Sequence, residues 1–340
     1  MSRNVIASNL TNHVRRRLLI TGGSALMTSG LPRIASAEED WPSRPIRIIA
    51  AQAPGSSNDT TARALANYLT AQLKTPVMVE NKPGAIGMVA ADSVARSKPD
   101  GYTFLFTLHS QLAQAPVLLK KPPIDPSKDL VPIGSYSTGL SPVCVKKDLP
   151  VNNFKELIEL SKKRPISAGN YSIGSGWQIR VVQIAKQTGG EFILVNYKGT
   201  GPMVSDLMAG TIDIGAGSLI GMLPAIQRGA RPVAMLTGDS KNPLLPGIPS
   251  LPEAGFRGPA FETLEECNML LGPSGTPTKI IDRLGNLILR SVTESDAVKA
   301  AMAQLGVTET PHVGQDLKEF IARVWSAYQI LTRELHINME

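Results

Sequence analysis

The sequence predicts an α/β protein of two domains with mostly parallel sheets. Strand-like and helix-like segments alternate along the chain after residue 40, and 340 residues are enough for about two domains. Two strand-like runs, residues 141–146 and 266–271, lack the helix that accompanies the other strands. We interpret these runs as the connectors of a chain that leaves one domain, builds a second and returns.

This interpretation makes the first domain discontinuous. It comprises residues 41–142 and 268–340, and the second domain comprises residues 143–267. Hydrophobic residues make up 42% of the chain and charged residues 19%, which is ordinary for a globular protein. The composition therefore allows a hydrophobic core in both domains.

Residues 1–37 are predicted to be an export signal. Three consecutive arginines at 15–17 precede a modestly apolar stretch at 18–31, and residues 35–37 read Ala-Ser-Ala, a typical cleavage site. The paired arginines indicate twin-arginine export, with an ordinary secretory signal as the alternative. No later segment approaches the roughly 20 apolar residues of a membrane span, so we expect a mature protein that is soluble in the periplasm.

Much of the net charge of +7 lies in this signal. Residues 1–37 carry five arginines and no acidic residue, which leaves 30 Lys and Arg against 28 Asp and Glu in the remaining chain. A nucleic-acid reader needs a basic face and stacking aromatic side chains, but only 5% of the residues are aromatic. We therefore expect no nucleic-acid partner.

The first predicted domain opens with a regular succession of elements. Residues 46–50 form a strand, which Pro54 and Gly55 end. Apolar residues at helical spacing then predict a helix over 59–73. The next predicted elements are a strand at 77–79, a helix through 94 and a strand at 102–107.

The later part of the chain repeats this order and ends in two long helices. The predicted helices span residues 153–163, 177–188, 203–209, 219–228, 277–293 and 315–334. The predicted strands between them span residues 192–196, 212–216 and 232–236. Such an alternation is typical of strand–helix–strand crossovers.

A ligand site is predicted in the small, polar loops after the strands, because ligands of open α/β sheets bind beyond the carboxyl ends of strands. The first loop opens a helix, so unpaired backbone N–H groups and the helix dipole favour an anion there. Asp59 is expected to brace this loop or to accept a hydrogen bond from the ligand. A capped turn without a ligand is the alternative. The candidates are Gly55, Ser56, Ser57, Asn58 and Asp59.

A second loop has the same design, with small residues at the start of a helix. Ser175 and Gly176 are expected to present N–H groups to a second anionic group. Trp177 is either a wall of the pocket or a packing residue. The candidates of this loop are Asn170, Ser172, Gly174, Ser175, Gly176, Trp177 and Gln178.

Three further segments after strands supply candidates. His109 either donates a hydrogen bond to a carboxylate or serves the fold, and Lys198 either reaches a carboxylate or stays solvated. The candidates are Thr107, His109, Ser110, Lys198, Gly217 and Ser218.

The patterns of metalloproteins and nucleotide-binding enzymes do not occur in the sequence. The four histidines form no metal-ligand spacing with cysteine or acidic residues. No P-loop, nucleophile elbow or convincing dinucleotide fingerprint is present. We therefore predict no metal, no cofactor and no catalytic residue, which favours a binding protein over an enzyme.

Several short motifs follow one another along the chain after the signal. They are Trp-Pro-Ser-Arg-Pro-Ile-Arg at 41–47, Pro-Gly at 54–55 with Asp59, Val-Glu-Asn-Lys-Pro-Gly-Ala at 79–85, Lys-Pro-Asp-Gly-Tyr-Thr at 98–103, Tyr-Lys-Gly-Thr at 197–200, Asp-Leu-Met-Ala-Gly-Thr-Ile-Asp at 206–213, Pro-Ser-Leu-Pro-Glu-Ala-Gly at 249–255 and Gly-Pro-Ser-Gly-Thr-Pro at 272–277. The ordered set resembles the substrate-binding proteins of tripartite tricarboxylate transporters, the Bug family of periplasmic receptors.

The resemblance implies a two-lobed periplasmic-binding-protein fold of type II, the Venus-flytrap architecture, with a ligand cleft between the lobes. It implies a small carboxylate ligand, held by backbone N–H groups, hydroxyls and bridging waters rather than by arginine. The implied partners are the membrane subunits of the transporter, and we expect a monomer. A receptor that presents its ligand to a sensor kinase and, less favoured, an enzyme acting in the cleft are the alternatives.

Some residues of the predicted cleft depart from the family pattern. Ser56 stands where a glycine is usual, and Gly217 and Ser218 stand where an Asp-Asn pair is common. The missing aspartate would have accepted a hydrogen bond from an ammonium group. We therefore predict a ligand without an amino group, such as a dicarboxylate or an aromatic carboxylate.

The two cysteines, Cys144 and Cys267, lie in apolar, strand-like runs. They are either buried thiols or, in an oxidising compartment, a single disulfide. If the two runs are the crossover strands that the resemblance implies, a bond between the cysteines would lie near the hinge and restrain closure.

Overall fold

The computed structural model describes residues 41–338, so the predicted export signal at residues 1–37 lies outside the described residues. The strands are β1 (Ile46–Ala50), β2 (Val77–Asn81), β3 (Thr103–Leu108), β4 (Leu130–Ser137), β5 (Pro142–Val145), β6 (Ile166–Asn170), β7 (Phe192–Asn196), β8 (Ile214–Ala216), β9 (Arg231–Met235) and β10 (Cys267–Pro273). The helices are α1 (Ser57–Leu73), α2 (Met88–Ala95), α3 (His109–Leu118), α4 (Pro126–Asp129), α5 (Phe154–Ser161), α6 (Gly176–Thr188), α7 (Thr200–Ala209), α8 (Leu219–Gln227), α9 (Pro259–Glu262), α10 (Thr278–Glu294), α11 (Asp296–Leu305) and α12 (Gly314–Glu334). None of these helices has the length and apolarity that crossing a membrane requires.

Two five-stranded sheets form the centres of two lobes. The strand order is β2-β1-β3-β10-β4 in the first sheet and β7-β6-β8-β5-β9 in the second. In the first sheet β1 is parallel to β2 and β3, whereas β10 is antiparallel to β3 and β4. In the second sheet β6 is parallel to β7 and β8, whereas β5 is antiparallel to β8 and β9. Each sheet thus contains one reversed strand among four that run in the same direction, so both sheets are mixed and the predicted α/β fold is confirmed.

The reversed strands β5 and β10 are the two runs that the sequence marks as connectors. The chain passes from β4 to β5 through residues 138–141 and returns from β9 to β10 through residues 236–266; we call these the crossing segments. The N–H of Thr138 donates to the carbonyl of Glu266 at 3.1 Å, so the crossing segments are hydrogen-bonded to each other. β5 and β10 do not pair with each other, because each is held between two strands of its own sheet.

The sequence patterns missed α3, α4, β4, β6, α9 and α11. Helix α3 is buried on nearly all sides and contains Pro116, so it lacks the alternation of polar and apolar faces that predicts a helix. Strand β6 reads Ile-Ser-Ala-Gly-Asn, and small residues have weak strand propensity; its place between β7 and β8 makes it a strand.

The C-terminal helix α12 closes the first lobe and reaches the crossing segments. Its buried side chains recur at helical spacing and face α3; they include Leu317, Phe320, Val324, Tyr328 and Leu331. The Tyr328 hydroxyl donates to Oε2 of Glu266 at 3.3 Å. The end of the chain therefore supports the residues that lead into β10.

Both cysteines are buried free thiols. Cys144 lies in β5 of the second sheet and Cys267 in β10 of the first sheet, and burial raises the pKa of both thiols. The disulfide considered from the sequence is therefore wrong for this structure, since the two strands belong to different sheets.

Candidate functional site

A cavity of about 500 Å³ lies between the lobes, beside the crossing segments. The first lobe lines this cavity with residues 52–58 and Leu108. The crossing segments contribute Thr138, Ser141, Leu236, Thr237, Leu264 and Glu266. The second lobe contributes mainly Tyr171, Gly176, Arg180, residues 198–202, Gly217, Ser218, Ile220 and Gly221. Eight of the residues predicted from the sequence lie on its wall: Gly55, Ser56, Ser57, Asn58, Gly176, Lys198, Gly217 and Ser218.

The first predicted loop enters the cavity through the start of α1. Ser56 is the N-cap, and its hydroxyl accepts a hydrogen bond from the N–H of Asp59 at 3.2 Å. The N–H groups of Ser57 and Asn58 belong to the first helical turn, where no intrahelical acceptor exists. These two amides are the donors that the first lobe offers to an anion.

Asp59 stands behind this loop and does not line the cavity. It is 4% exposed, and its Oδ2 accepts a hydrogen bond from the N–H of Gly55 at 2.9 Å. Burial by itself would raise the pKa of Asp59, but hydrogen bonds from Arg63, Gly55 and Asn81 outweigh it and lower the pKa below its ordinary value. The carboxylate thus braces the loop, and the N–H of Gly55 is already engaged.

The second lobe directs the starts of three helices at the cavity. Helix α6 contributes Gly176, α7 contributes Thr200 and Gly201, and α8 contributes Ile220 and Gly221. The starts of α7 and α8 have no side-chain cap. In α8 the N–H of Leu219 already donates to the carbonyl of Leu140 at 2.8 Å, which leaves the amides of Ile220 and Gly221 for a ligand. Aligned helix dipoles make these starts favourable for a negative charge.

Asn170 and Trp177 of the second loop form hydrogen bonds within their own lobe. Asn170 is buried; its Nδ2 donates to Asn196 at 2.8 Å, and its Oδ1 accepts from the Ser175 hydroxyl at 2.6 Å. The Trp177 indole donates to the carbonyl of Gly169 at 2.9 Å, so Trp177 is a packing residue. The candidates that do not line the cavity are Asn170, Ser172, Gly174, Ser175, Trp177 and Gln178.

The segment from Thr107 to Ser110 is not a loop, because β3 runs directly into α3. Thr107, His109 and Ser110 are all buried and lie off the cavity wall. Nε2 of His109 is 2.9 Å from the carbonyl of Glu265. Burial lowers the pKa of His109 to about 4, against the opposing effect of that carbonyl, so the ring is neutral near pH 7. His109 therefore serves the fold in this structure.

Sequence reasoning missed Arg180 and Glu266, two charged residues on the cavity wall. Arg180 follows Gly176 by four residues on α6, and this spacing places both on one helix face. Glu266 begins one of the two predicted connector runs. The four-residue spacing from Gly176 and the position of Glu266 in a connector run are both visible in the sequence. Neither feature distinguishes a residue that lines a cavity from a charged residue on the surface.

The charged side chains on the cavity wall are two cations and one carboxyl group: Lys198, Arg180 and Glu266. Lys198 is exposed, whereas Arg180 is only 3% exposed. Burial raises the pKa of Glu266 to about 7, although Ser110, Tyr328 and Arg180 act in the opposite direction. The wall therefore carries a net positive charge near neutral pH, as an acidic ligand requires.

Within residues 41–338, no three His, Cys, Asp or Glu side chains are grouped so that they could hold a metal ion. The donors on the cavity wall are instead amides, hydroxyls and cations. Such donors suit a carboxylate better than a cation.

The chain is similar to known proteins over most of its length. The sequence model of a family described as "Tripartite tricarboxylate transporter family receptor" matches residues 61–336. The protein BugT of Bordetella pertussis is 31% identical over 310 residues, which cover 90% of this chain and 93% of BugT.

Two solved structures are similar along the same range. A protein of R. palustris solved with adipate has a TM-score of 0.80 and 26% identity, and the match covers 88% of this chain and 100% of that protein. The periplasmic binding protein BugD has a TM-score of 0.76 and 27% identity, with the same coverage of 88% and 100%.

Proposed function

Because the chain belongs to the tripartite tricarboxylate transporter receptor family, whose members are solute-binding receptors and not enzymes, we propose that it captures a small carboxylate between its lobes and delivers it to the membrane subunits of such a transporter. One observation carries the ligand class: helix starts from both lobes meet at one cavity. Their free amides and dipoles favour a compact anion. Export to the periplasm through the segment 1–37 is part of this proposal.

The lobes in this proposal comprise residues 41–142 with 268–340 and residues 143–267. The strand order supports the division, since β1–β4 and β10 form one sheet and β5–β9 form the other. The crossing segments then act as the hinge. A ligand that bonds the start of α1 and the starts of α7 and α8 has its full set of contacts only when the lobes are closed, so it shifts the population towards closure.

A dicarboxylate or aromatic carboxylate without an amino group is the ligand class that we propose. Gly217 supplies no side-chain acceptor for an ammonium group at its place on the cavity wall. The R. palustris relative solved with adipate, a dicarboxylate, supports this choice. Expected ligands are therefore adipate and its shorter and longer homologues, or benzoate-like acids.

The ligand is identified by titrating the protein without its signal with individual acids in a calorimeter. The panel contains straight-chain dicarboxylates, benzoate, phthalate, aspartate and glutamate. We expect saturable binding of a member without an amino group, with an accompanying rise of the melting temperature. Tighter binding of aspartate or glutamate would contradict the proposed class.

Gly201→Asp tests whether the starts of the second-lobe helices bind the anion. A side chain at Gly201 meets no atom within 4 Å, and the residue lies in the first turn of α7, where an aspartate is compatible with the helix dipole. The added negative charge should weaken binding of the acid identified above by about 10-fold or more, since like charges meet in a partly enclosed site.

Gly201→Asn is the matched control, because asparagine has nearly the same size and no charge. Its affinity should stay within a few-fold of the wild type, and both variants should keep the wild-type melting temperature within a few degrees. Equal affinity of the aspartate variant and the wild type would remove α7 from the site.

A further inference from the structure

Arg180 is a buried cation on the wall of the cavity. It is 3% exposed and lines the cavity together with Leu264 and Glu266 of the returning crossing segment. Its Nη2 donates to the carbonyl of Leu264 at 2.6 Å, and its Nε has no hydrogen-bond partner among the described residues. The guanidinium therefore lies at the hinge side of the cavity with part of its donor capacity unused.

Glu266 does not form an ion pair with this cation. It shifts the pKa of Arg180 through space, but no contact between Arg180 and a carboxylate qualifies as an ion pair within residues 41–338. Oε2 of Glu266 accepts a hydrogen bond from Tyr328. Arg180 consequently lacks a close anionic partner inside the protein.

A buried guanidinium without a counter-ion is costly, because desolvation of the charge is not compensated. Burial lowers the pKa of Arg180, but arginine stays protonated in proteins. The carbonyl of Leu264 and the nearby Glu266 compensate this desolvation only in part, because the pKa of Arg180 is lowered on balance, so a ligand anion can supply the remainder. A ligand carboxylate fits best, since the planar guanidinium offers two parallel N–H donors to it.

The backbone around Arg180 makes room for the guanidinium. A side-chain carbon at Gly176 would lie 2.8 Å from Nη1 of Arg180 and 2.8 Å from the Tyr328 hydroxyl, so only glycine allows this close approach. The hydrogen bond to Leu264 fixes the opposite side of the group. The arginine is thus held in place before any ligand arrives, which reduces the cost of binding.

We propose that Arg180 binds one carboxylate of the ligand at the hinge side of the cavity, while the helix starts bind a second carboxylate, so that the receptor selects diacids over monoacids. This inference rests on the proposed function and specifies its ligand as a dianion. It also assigns to an arginine the contact that the family resemblance assigns to amides, hydroxyls and waters.

The test compares dicarboxylates with monocarboxylates of equal chain length. Affinities are measured by calorimetry for succinate through pimelate and for butanoate through heptanoate, with wild type and Arg180→Met. We expect wild type to prefer the diacid at the best length. Arg180→Met should lose about 10- to 100-fold of diacid affinity, as expected for a charge-assisted hydrogen bond, and should lose most of the preference.

Arg231→Met is the matched control. Arg231 lies in the same lobe and donates to the carbonyls of Val151 and Leu149, but it does not line the cavity. Its loss should lower stability and leave the diacid preference unchanged. A preserved preference in Arg180→Met would overturn the inference while leaving the proposed function intact, whereas a wild type that binds no acid of either series would contradict the proposed function.

Glu266→Gln provides a second route if Arg180→Met does not fold. At pH 8, above the pKa of about 7 of Glu266, the substitution removes a negative charge near Arg180 and keeps the side-chain volume. Diacid affinity should rise by about 3- to 10-fold because the ligand no longer meets a like charge. Unchanged or weaker diacid binding would count against Arg180 as the carboxylate-binding group.

Discussion

Asp213 shows at the scale of one residue that a motif residue can belong to the fold and not to the site. It lies off the cavity wall, and Arg164 donates to both of its carboxylate oxygens, at 2.9 and 3.1 Å. Lys146 lies 2.9 Å away, and the N–H and hydroxyl of Ser167 also donate to it. This network ties β8 to β6 and to the end of α5.

Asp213→Asn should therefore destabilise the protein. The carboxylate is nearly buried, but Arg164 and Lys146 are partly exposed, so we expect a decrease of about 1–3 kcal/mol in the free energy of unfolding. Urea titration followed by circular dichroism measures it. Asp296→Asn is the control, because Asp296 is fully exposed and its pair with Lys299 is a surface contact, so little change is expected.

The pH dependence of this difference follows from the pKa of Asp213. Burial would raise that pKa, but hydrogen bonds from Arg164, Lys146 and Ser167 outweigh it and hold the pKa well below its ordinary value. A carboxyl group with a lowered folded-state pKa stabilises the protein above its unfolded pKa, and this contribution is lost as the pH falls. The gap between wild type and Asp213→Asn should therefore shrink below about pH 4. A gap that widens in acid would contradict the assignment.

At the scale of elements, the first crossing segment depends on the fit of one glycine. Gly139 has a φ of +69°, and a side-chain carbon there would lie 2.1 Å from the carbonyl oxygen of Leu305 at the end of α11. The same oxygen accepts a hydrogen bond from the N–H of Leu140 at 2.8 Å. The segment is thus packed directly on the first lobe, which leaves no space for a methyl group.

Gly139→Ala should lower the free energy of unfolding by more than the backbone strain of a left-handed residue accounts for. Gly189→Ala measures that strain alone, because Gly189 has a φ of +71° at the end of α6 and no atom within 4 Å of the added carbon. We expect about 1 kcal/mol for Gly189→Ala and at least about 2 kcal/mol more for Gly139→Ala. Equal decreases in the free energy of unfolding, measured by urea titration of the two variants, would show that the first crossing segment accommodates the added methyl group without further loss of stability.

The elements recovered from the sequence are those with a clear periodicity. Helix α1 and the terminal helices α10 and α12 carry apolar residues at helical spacing, and their existence was predicted. Helix α3 is apolar on most sides and β6 is rich in small residues, so neither has a local signature. Their structure is decided by burial between neighbouring elements.

At the scale of the whole molecule, the crossing segments connect the two lobes. The proposed ligand bonds the start of a helix in one lobe and the starts of helices in the other. Binding should therefore favour a more closed arrangement. Small-angle X-ray scattering with and without a saturating concentration of the identified acid should show a small decrease in the radius of gyration. Gly201→Asp at the same acid concentration should show a smaller decrease, because it binds the acid more weakly. A decrease of equal size in that variant would show that closure does not depend on binding at α7.

The sequence by itself determined the α/β class, the two connector runs and the first-lobe loop that lines the cavity. These features follow from local pattern: alternation of elements, turn residues and the amides of a helix start. Tertiary structure alone decided that Trp177, His109 and Asn170 face the interior and that Arg180 and Glu266 meet at the cavity. The physical reason is that the packing of the chain brings residues far apart in sequence to one cavity wall, such as position 180 on α6 and position 266 before β10, and no local pattern contains that proximity.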